Sequence, residues 1–347
     1  MLTLLYLILI LGLLIFIHEL GHFIFAKKFN VHIYEFALGM GPRVLQKKGK
    51  DGIIYSVRAF PIGGFVSMAG EVGEDDEKVK KERFMCNRPW WQRLIVLVAG
   101  VTFNFLLALV ILFVSALIWG GHDNTPIIAS VSPDYPMAEA GIEAGDKILE
   151  INGYKIQDWD KANIILNLKD KDNVYSFVIE KTNGEVKSYK IAPKIEKDED
   201  GGETKVFGLY MGSTTTHGFG NAIRYAFHKF ASVVRSMALV ISKLITGELS
   251  LKALAGPVGM YSIVDETVEY GIENVAYLIA LLSINLGFVN ILPFPAFDGG
   301  HVLFLIIERI KGSKVNPKLE GIINTIGFIL LMILMAYITL QDIIKIF

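Results

Sequence analysis

Uninterrupted apolar runs alternate with charged stretches along this chain. The first 17 residues carry no charge, and helical patterning continues through His18, Glu19 and His22 to Ala26. Residues 1–26 make roughly 39 Å at the helical rise, enough to cross a bilayer. No basic segment precedes this run and no small-residue cleavage site follows it, so it is expected to remain as a span and not to be removed as a signal peptide. A second span is predicted over residues 94–119 and a fourth over 321–343. The third lies in residues 274–311, where Pro293 and Pro295 must interrupt the helix because neither can donate a backbone hydrogen bond, and a further helix follows the break.

Two segments follow other patterns. Within residues 220–247, Phe227, Phe230, Val233, Val234, Met237 and Ile241 recur at helical spacing while Lys229, Arg235 and Lys243 interrupt them. That predicts an amphipathic helix lying in the membrane interface. The alternative is a fifth span, which would invert the sidedness of everything after it. Residues 124–212 show short β-type runs separated by turn signals such as Asn152-Gly153 and Asn183-Gly184, so a small water-facing α+β domain is expected there.

Composition agrees with a membrane protein that carries such a domain. The 347 residues are 52% hydrophobic yet 20% charged, with a mean hydropathy of +0.45. A net charge of -1 leaves no footprint for nucleic acid. Cys86 is the only cysteine, so any bound metal must be held by histidine and carboxylate. Basic residues gather in residues 27–93, among them Lys27, Lys28, Arg43, Lys47, Lys48, Arg83, Arg88 and Arg93, and again at Arg309, Lys311, Lys314 and Lys318. The positive-inside rule therefore places residues 27–93 in the cytoplasm and the domain at 124–212 outside it.

His18-Glu19-Leu20-Gly21-His22 carries the chemistry. Two histidines four residues apart leave one face of a helix one turn apart and can hold one ion, while Glu19 beside them can take a proton from activated water. Three ionisable groups at membrane depth are costly, which makes them functional by default. A catalytic zinc needs a third protein ligand and an open position. Irregular backbone at membrane depth persists only where protein or a cavity satisfies it, so the break at Pro293 and Pro295 marks a site and Asp298 just beyond it is the expected third ligand. His301 competes for that role. Pro61-Ile62-Gly63-Gly64-Phe65-Val66 alternates bulky residues around two glycines and reads as a strand or hairpin near the membrane face.

At His18-Glu19-x-x-His22 and Asn290-x-x-Pro293-x-Pro295-x-x-Asp298-Gly299, the chain resembles the site-2 protease family of intramembrane zinc metalloproteases, of the bacterial regulator-of-sigma-E type. The resemblance covers nearly the whole chain. It implies Zn2+ on His18, His22 and Asp298 with Glu19 as catalytic base, in a polytopic helical protein of about four spans. It also implies that a membrane-associated β element containing Gly63, Gly64 and Phe65 pairs with extended substrate. Ala99-Gly100-Val101-Thr102-Phe103-Asn104 is similar to another family motif, with Val101 where proline is usual. Asn104 and Asn290 are then candidates on the substrate side, although asparagines in spans also pair helices. Gly256-Pro257-Val258-Gly259 matches a family motif with no evident chemistry.

Pro136-Met137-Ala138-Glu139-Ala140-Gly141, followed by Gly145-Asp146-Lys147, resembles a circularly permuted bacterial PDZ domain. Gly208-Leu209-Tyr210-Met211 could supply the loop that receives a peptide C-terminus. The expected function is cleavage of transmembrane segments of single-span proteins in the bacterial inner membrane, such as anti-sigma factors or signal-peptide remnants. Its active site is expected toward the cytoplasm. The other reading of the same residues is a catalytically silent scaffold that binds peptides through the PDZ-like domain and whose zinc only joins two helices. A transporter would call for inverted repeats, and the sequence has no convincing internal repeat.

Overall fold

The computed structural model describes residues 2–71, 79–168, 173–197, 203–212 and 214–346. From the N-terminus run α1 (Leu2–Lys28), β1 (Ile33–Lys48), β2 (Ile54–Met68), α2 (Trp90–Ile118), β3 (Gly121–His122) and β4 (Ile128–Val131). Then come α3 (Pro136–Glu139), β5 (Lys147–Ile151), β6 (Tyr154–Lys155), α4 (Trp159–Leu166), β7 (Tyr175–Glu180) and β8 (Val186–Ile191). They are followed by β9 (Lys194–Lys197), β10 (Glu203–Val206), β11 (Leu209–Met211), β12 (Thr215–Thr216) and α5 (Phe219–Ile245). Four helices close the chain: α6 (Pro257–Glu269), α7 (Ile272–Ile291), α8 (Asp298–Lys311) and α9 (Pro317–Ile346). These elements form two units, Met1–Ile111 with Leu254–Phe347, and Leu112–Ala253.

Among the described residues, four helical stretches are long and apolar enough to cross a membrane: Leu2–Lys28, Trp90–Ile118, Ile272–Ile291 and Lys318–Ile344. Local chemistry sets their ends. α1 closes on Lys27 and Lys28, which favour a helix C-terminus, and Asn30 follows at φ 55°. Pro293 forces Leu292 out of helical geometry, to ψ 139°, and so ends α7. Gly312, left-handed at φ 75°, stops α8.

In the first unit, Ile10 and Leu14 of α1 bury against Val264 of α6 and against Val275 and Leu278 of α7. A second cluster joins the end of α1 to the β pair through Ala26, Val31, Ile33, Phe36, Val66 and Val96. The β pair is folded over on itself. Glu35 to Leu38 meet Ser67 to Gly64 in falling order on one side and Ile54 to Val57 in rising order on the other, while Lys48 to Leu45 close against Ile54 to Val57. Residues 64–67 are therefore an edge, and no other strand of the described residues pairs with their free side. Glu35, buried at the centre, accepts hydrogen bonds from Ser56, Arg43 and Arg58.

The second unit is built on the antiparallel sheet β6-β5-β7-β8 and the pair β11-β4. Tyr175, Phe177 and Ile179 of β7 alternate inward and pack with Ile128, Ile148 and Phe207. Asn152 at φ 48° and Gly153 at φ 78° make the two-residue turn joining β5 to β6. This β-sheet region is consistent with a PDZ-like subdomain. α5 packs along it by charge: Lys229 and Ser232 donate to Asp160 at 2.9 and 2.6 Å, and Arg235 donates to Asp158 at 3.0 Å. Its charged and polar residues keep it from being among the span-length apolar helices.

Candidate active site

Seven residues after Leu11, the apolar surface of α1 gives way to His18, Glu19 and His22, all of them buried. The ring nitrogens of the two histidines that face each other, both Nε2, lie 3.2 Å apart. Asp298 enters from the first turn of α8, delivered by the chain reversal at the proline break, where Ala296 takes φ 78°. Its Oδ2 stands 3.2 Å from His18 Nε2 and 3.3 Å from His22 Nε2. These three groups can hold a metal ion. Asp298 Oδ2 is buried and has no hydrogen-bond donor, the state of an oxygen whose partner is a cation.

The backs of both rings are held. His22 Nδ1 is 2.8 Å from the carbonyl of Val96, so Nδ1–H donates there and the Nε2 lone pair faces the cluster. Asn104 is fully buried and its side-chain amide lies 3.3 Å from His18 Nδ1. With the amide oxygen turned to the ring, Nδ1–H donates to it, which satisfies an otherwise unpartnered Oδ1 and frees His18 Nε2 as well. The Asn104 carbonyl in turn accepts from Ser283 Oγ on α7 at 2.8 Å, so one residue ties the ligand helix to two others. Gly100 lets α2 come this close: a Cβ there would stand 2.8 Å from His18 Cε1.

A cleft of about 810 Å³ opens onto the cluster, with His18, Glu19, His22, Gly64, Phe65 and Asp298 in its wall. Gly64 and Phe65 therefore meet the site, while Gly63 packs against Met40 beside it. Asn104 and Asn290 do not line the cleft; Asn104 sits behind His18, and Asn290 is half-buried in the last turn of α7. His301 lines the cleft but turns Nδ1 to Glu320 on α9 at 3.1 Å, away from the three-ligand cluster. Two contacts had no signal in the sequence. The Val96 carbonyl belongs to no motif, and the 2.6 Å pair of Arg93 with Glu308 joins residues 215 positions apart.

A buried carboxylate beside a two-histidine, one-aspartate set, with the histidines on a helix long and apolar enough to cross a bilayer, is the equipment of a membrane-embedded metalloprotease. The model of peptidase family M50 matches residues 6–334, and the chain belongs to that family. It is similar to the regulator of sigma-W protease RasP of Bacillus subtilis, 33% identical over 98% of each chain. It is also similar to the zinc metalloprotease RasP of Bacillus licheniformis, 33% identical over 98% of each, and to that of Shouchella clausii, 31% identical over 99% of each. The chain is an intramembrane zinc metalloendopeptidase of the site-2 protease type.

Proposed function

We propose that His18, His22 and Asp298 hold Zn2+, that Glu19 is the proton-transferring base, and that the substrates are transmembrane segments of single-span membrane proteins. The observation that carries this reading is the triangle of ligand atoms, 3.2, 3.2 and 3.3 Å on a side. Tetrahedral zinc with bonds of about 2.0–2.1 Å sets its ligand atoms roughly 3.3 Å apart, and a protein triangle leaves one position open. When bound, zinc supplies a Lewis acid for the scissile carbonyl and lowers the pKa of the attacking water. Glu19 takes that water's proton and passes it to the leaving amide nitrogen. A scaffold site would have no need of Glu19, whose burial at this depth is costly.

A substrate helix must unwind before water can reach its amides, and each backbone group left unpaired in lipid costs several kcal/mol. The free edge at residues 64–67 supplies the replacement partners: a substrate strand paired there lies against Gly64 and next to Glu19. The basic residues of the β pair and of α8 support a site at the cytoplasmic face of the inner membrane, with the PDZ-like unit outside. In reconstituted protein, Glu19→Gln is expected to keep its zinc and lose cleavage of a helical membrane substrate. Substantial residual turnover would remove Glu19 from this role. His22→Ala and Asp298→Ala should lose zinc together with rate.

A further inference from the structure

We propose that a pocket in the second unit, lined by none of the metal-cluster residues, binds the phosphate headgroup of an anionic phospholipid. The pocket holds about 520 Å³ and lies between the residues that follow α2 and the polar flank of α5. The side chains of Arg224, His228 and Lys147 line it, and none of the three has a hydrogen-bond or ion-pair partner among the described residues. The other basic groups of its wall are already engaged, Lys229 with Asp160 and Arg235 with Asp158. The three unpartnered side chains are therefore what is left to meet an anion.

Depth identifies the anion as a lipid. Gly121 and His122, which line the pocket, follow the last residue of α2, Ile118, by three and four positions. An extended chain of that length reaches at most about 14 Å, so the pocket floor falls in or just beyond the polar headgroup layer. Phe219, the first residue of α5, stacks edge-on to Phe113 with ring centroids 5.5 Å apart. Phe113 lies five residues before the end of the span, about 7.5 Å deeper at the helical rise. The start of α5 is thus at acyl-chain depth. From there Phe219, Ile223 and Phe227 form a stripe at four-residue spacing, 67, 40 and 59% exposed. Arg224 and His228 form the adjoining stripe, each one position further along the helix. An apolar stripe bordered by a basic one is the arrangement that takes a lipid by its chains and its phosphate together.

The test uses the full chain in mild detergent, incubated with equal amounts of dioleoylphosphatidylglycerol and dioleoylphosphatidylcholine, with retained lipid counted by native mass spectrometry. The wild-type protein should retain the anionic lipid in preference. Arg224→Ala with His228→Ala should lower its retention by about fivefold or more, the effect of one basic group at an anionic surface, and leave phosphatidylcholine unchanged. Arg224→Lys should retain it. Lys190→Ala, on the exposed face of β8 and outside the pocket, should behave as wild type. Equal loss in Lys190→Ala would show a general charge effect and overturn the assignment, as would unchanged retention in the double variant. Displacement of the lipid by millimolar inorganic phosphate would make this a soluble-anion site, and displacement by a peptide with a free C-terminus would make it a peptide site. Either result overturns the lipid. The readout needs no proteolysis, so it stands apart from the assignment of Glu19 and the zinc ligands.

Discussion

Gly64 lies directly against Glu19: a Cβ at Gly64 would stand 2.9 Å from Glu19 Cγ, and equally close to the Ala37 carbonyl oxygen. The edge strand of the β pair can therefore run past the Glu19 carboxylate only because this position has no side chain. Gly64→Val should push the strand off Glu19 or turn the carboxylate away from the cluster. A misplacement on the order of 1 Å near reacting groups costs about 100-fold in rate. Zinc content should stay stoichiometric, because the atoms nearest a Cβ at Gly64 belong to Ala37, Glu19 and Ile15 and not to the three ligands. Paired metal analysis and turnover on one preparation check this, and a valine variant cleaving at the wild-type rate would break the link between the strand and the base.

The ligand imidazoles depend on α2 as much as on α1. Asn104→Leu removes the acceptor behind His18 Nδ1 and should weaken zinc binding by about 10- to 100-fold, the usual effect of losing a partner behind a metal-bound histidine. Asn104→Asp keeps an acceptor there and should retain most of the metal. Gly100→Ala places a methyl group against both His18 and His22 and should lose zinc outright. Competition with a graded chelator series separates these three outcomes. Equal affinities for the leucine and aspartate variants would mean that Asn104 does not orient the ring.

The four apolar helices and the two halves of the metal cluster are legible in sequence because each rests on local pattern: long apolar runs, a four-residue histidine spacing, and prolines that cannot continue a helix. What sequence could not supply are the contacts that span long separations. Alternation around Gly63 and Gly64 points to a strand, but not that residues 35–38 pair on both sides, with 54–57 and with 64–67. Sequence favours Asp298 as the third ligand but leaves His301 in competition, since both residue types bind zinc. Only the fold shows that Asp298 points to the histidines, while His301 turns to Glu320. Asn104 reads as a polar residue in a span with several possible partners, and its position behind His18 follows from how α1 and α2 pack at Gly100.

Glu35 gives the β pair an acid limit. Burial opposes its ionisation, but hydrogen bonds from Arg43, Ser56 and Arg58 outweigh it and hold the carboxyl at about 2, below its ordinary value of 4.5. A depressed carboxylate contributes stability that is complete above its unfolded value and lost as pH falls through the folded one. Amide exchange in β1 and β2 should therefore be flat from neutral pH to about 5 and accelerate between about 4.5 and 2, beyond its intrinsic pH dependence. The full shift is worth roughly 3 kcal/mol. Glu35→Gln should raise exchange at neutral pH and flatten the acid response. A wild-type protein with no acid response in this window would show that Glu35 does not hold the pair together.

Asp342 explains the glycine motif that carries no chemistry. Its carboxylate, buried near the end of α9, accepts the backbone N–H of Gly256 and of Gly259, each at 2.8 Å, and so caps the start of α6. A negative charge there also meets the positive end of the helix dipole. Gly256 leaves room for it, since a Cβ would stand 2.8 Å from the Asp342 Oδ2. Asp342→Leu abandons two buried donors and should cost about 1–3 kcal/mol, whereas Asp342→Asn keeps an acceptor and should cost less. Thermal unfolding in detergent should therefore rank wild type above the asparagine variant and that above the leucine variant, with zinc content equal in all three at low temperature. An Asp342→Leu protein that melts with the wild type would mean that α9 is held to α6 by apolar packing alone, and that the motif serves only to bring the two helices close.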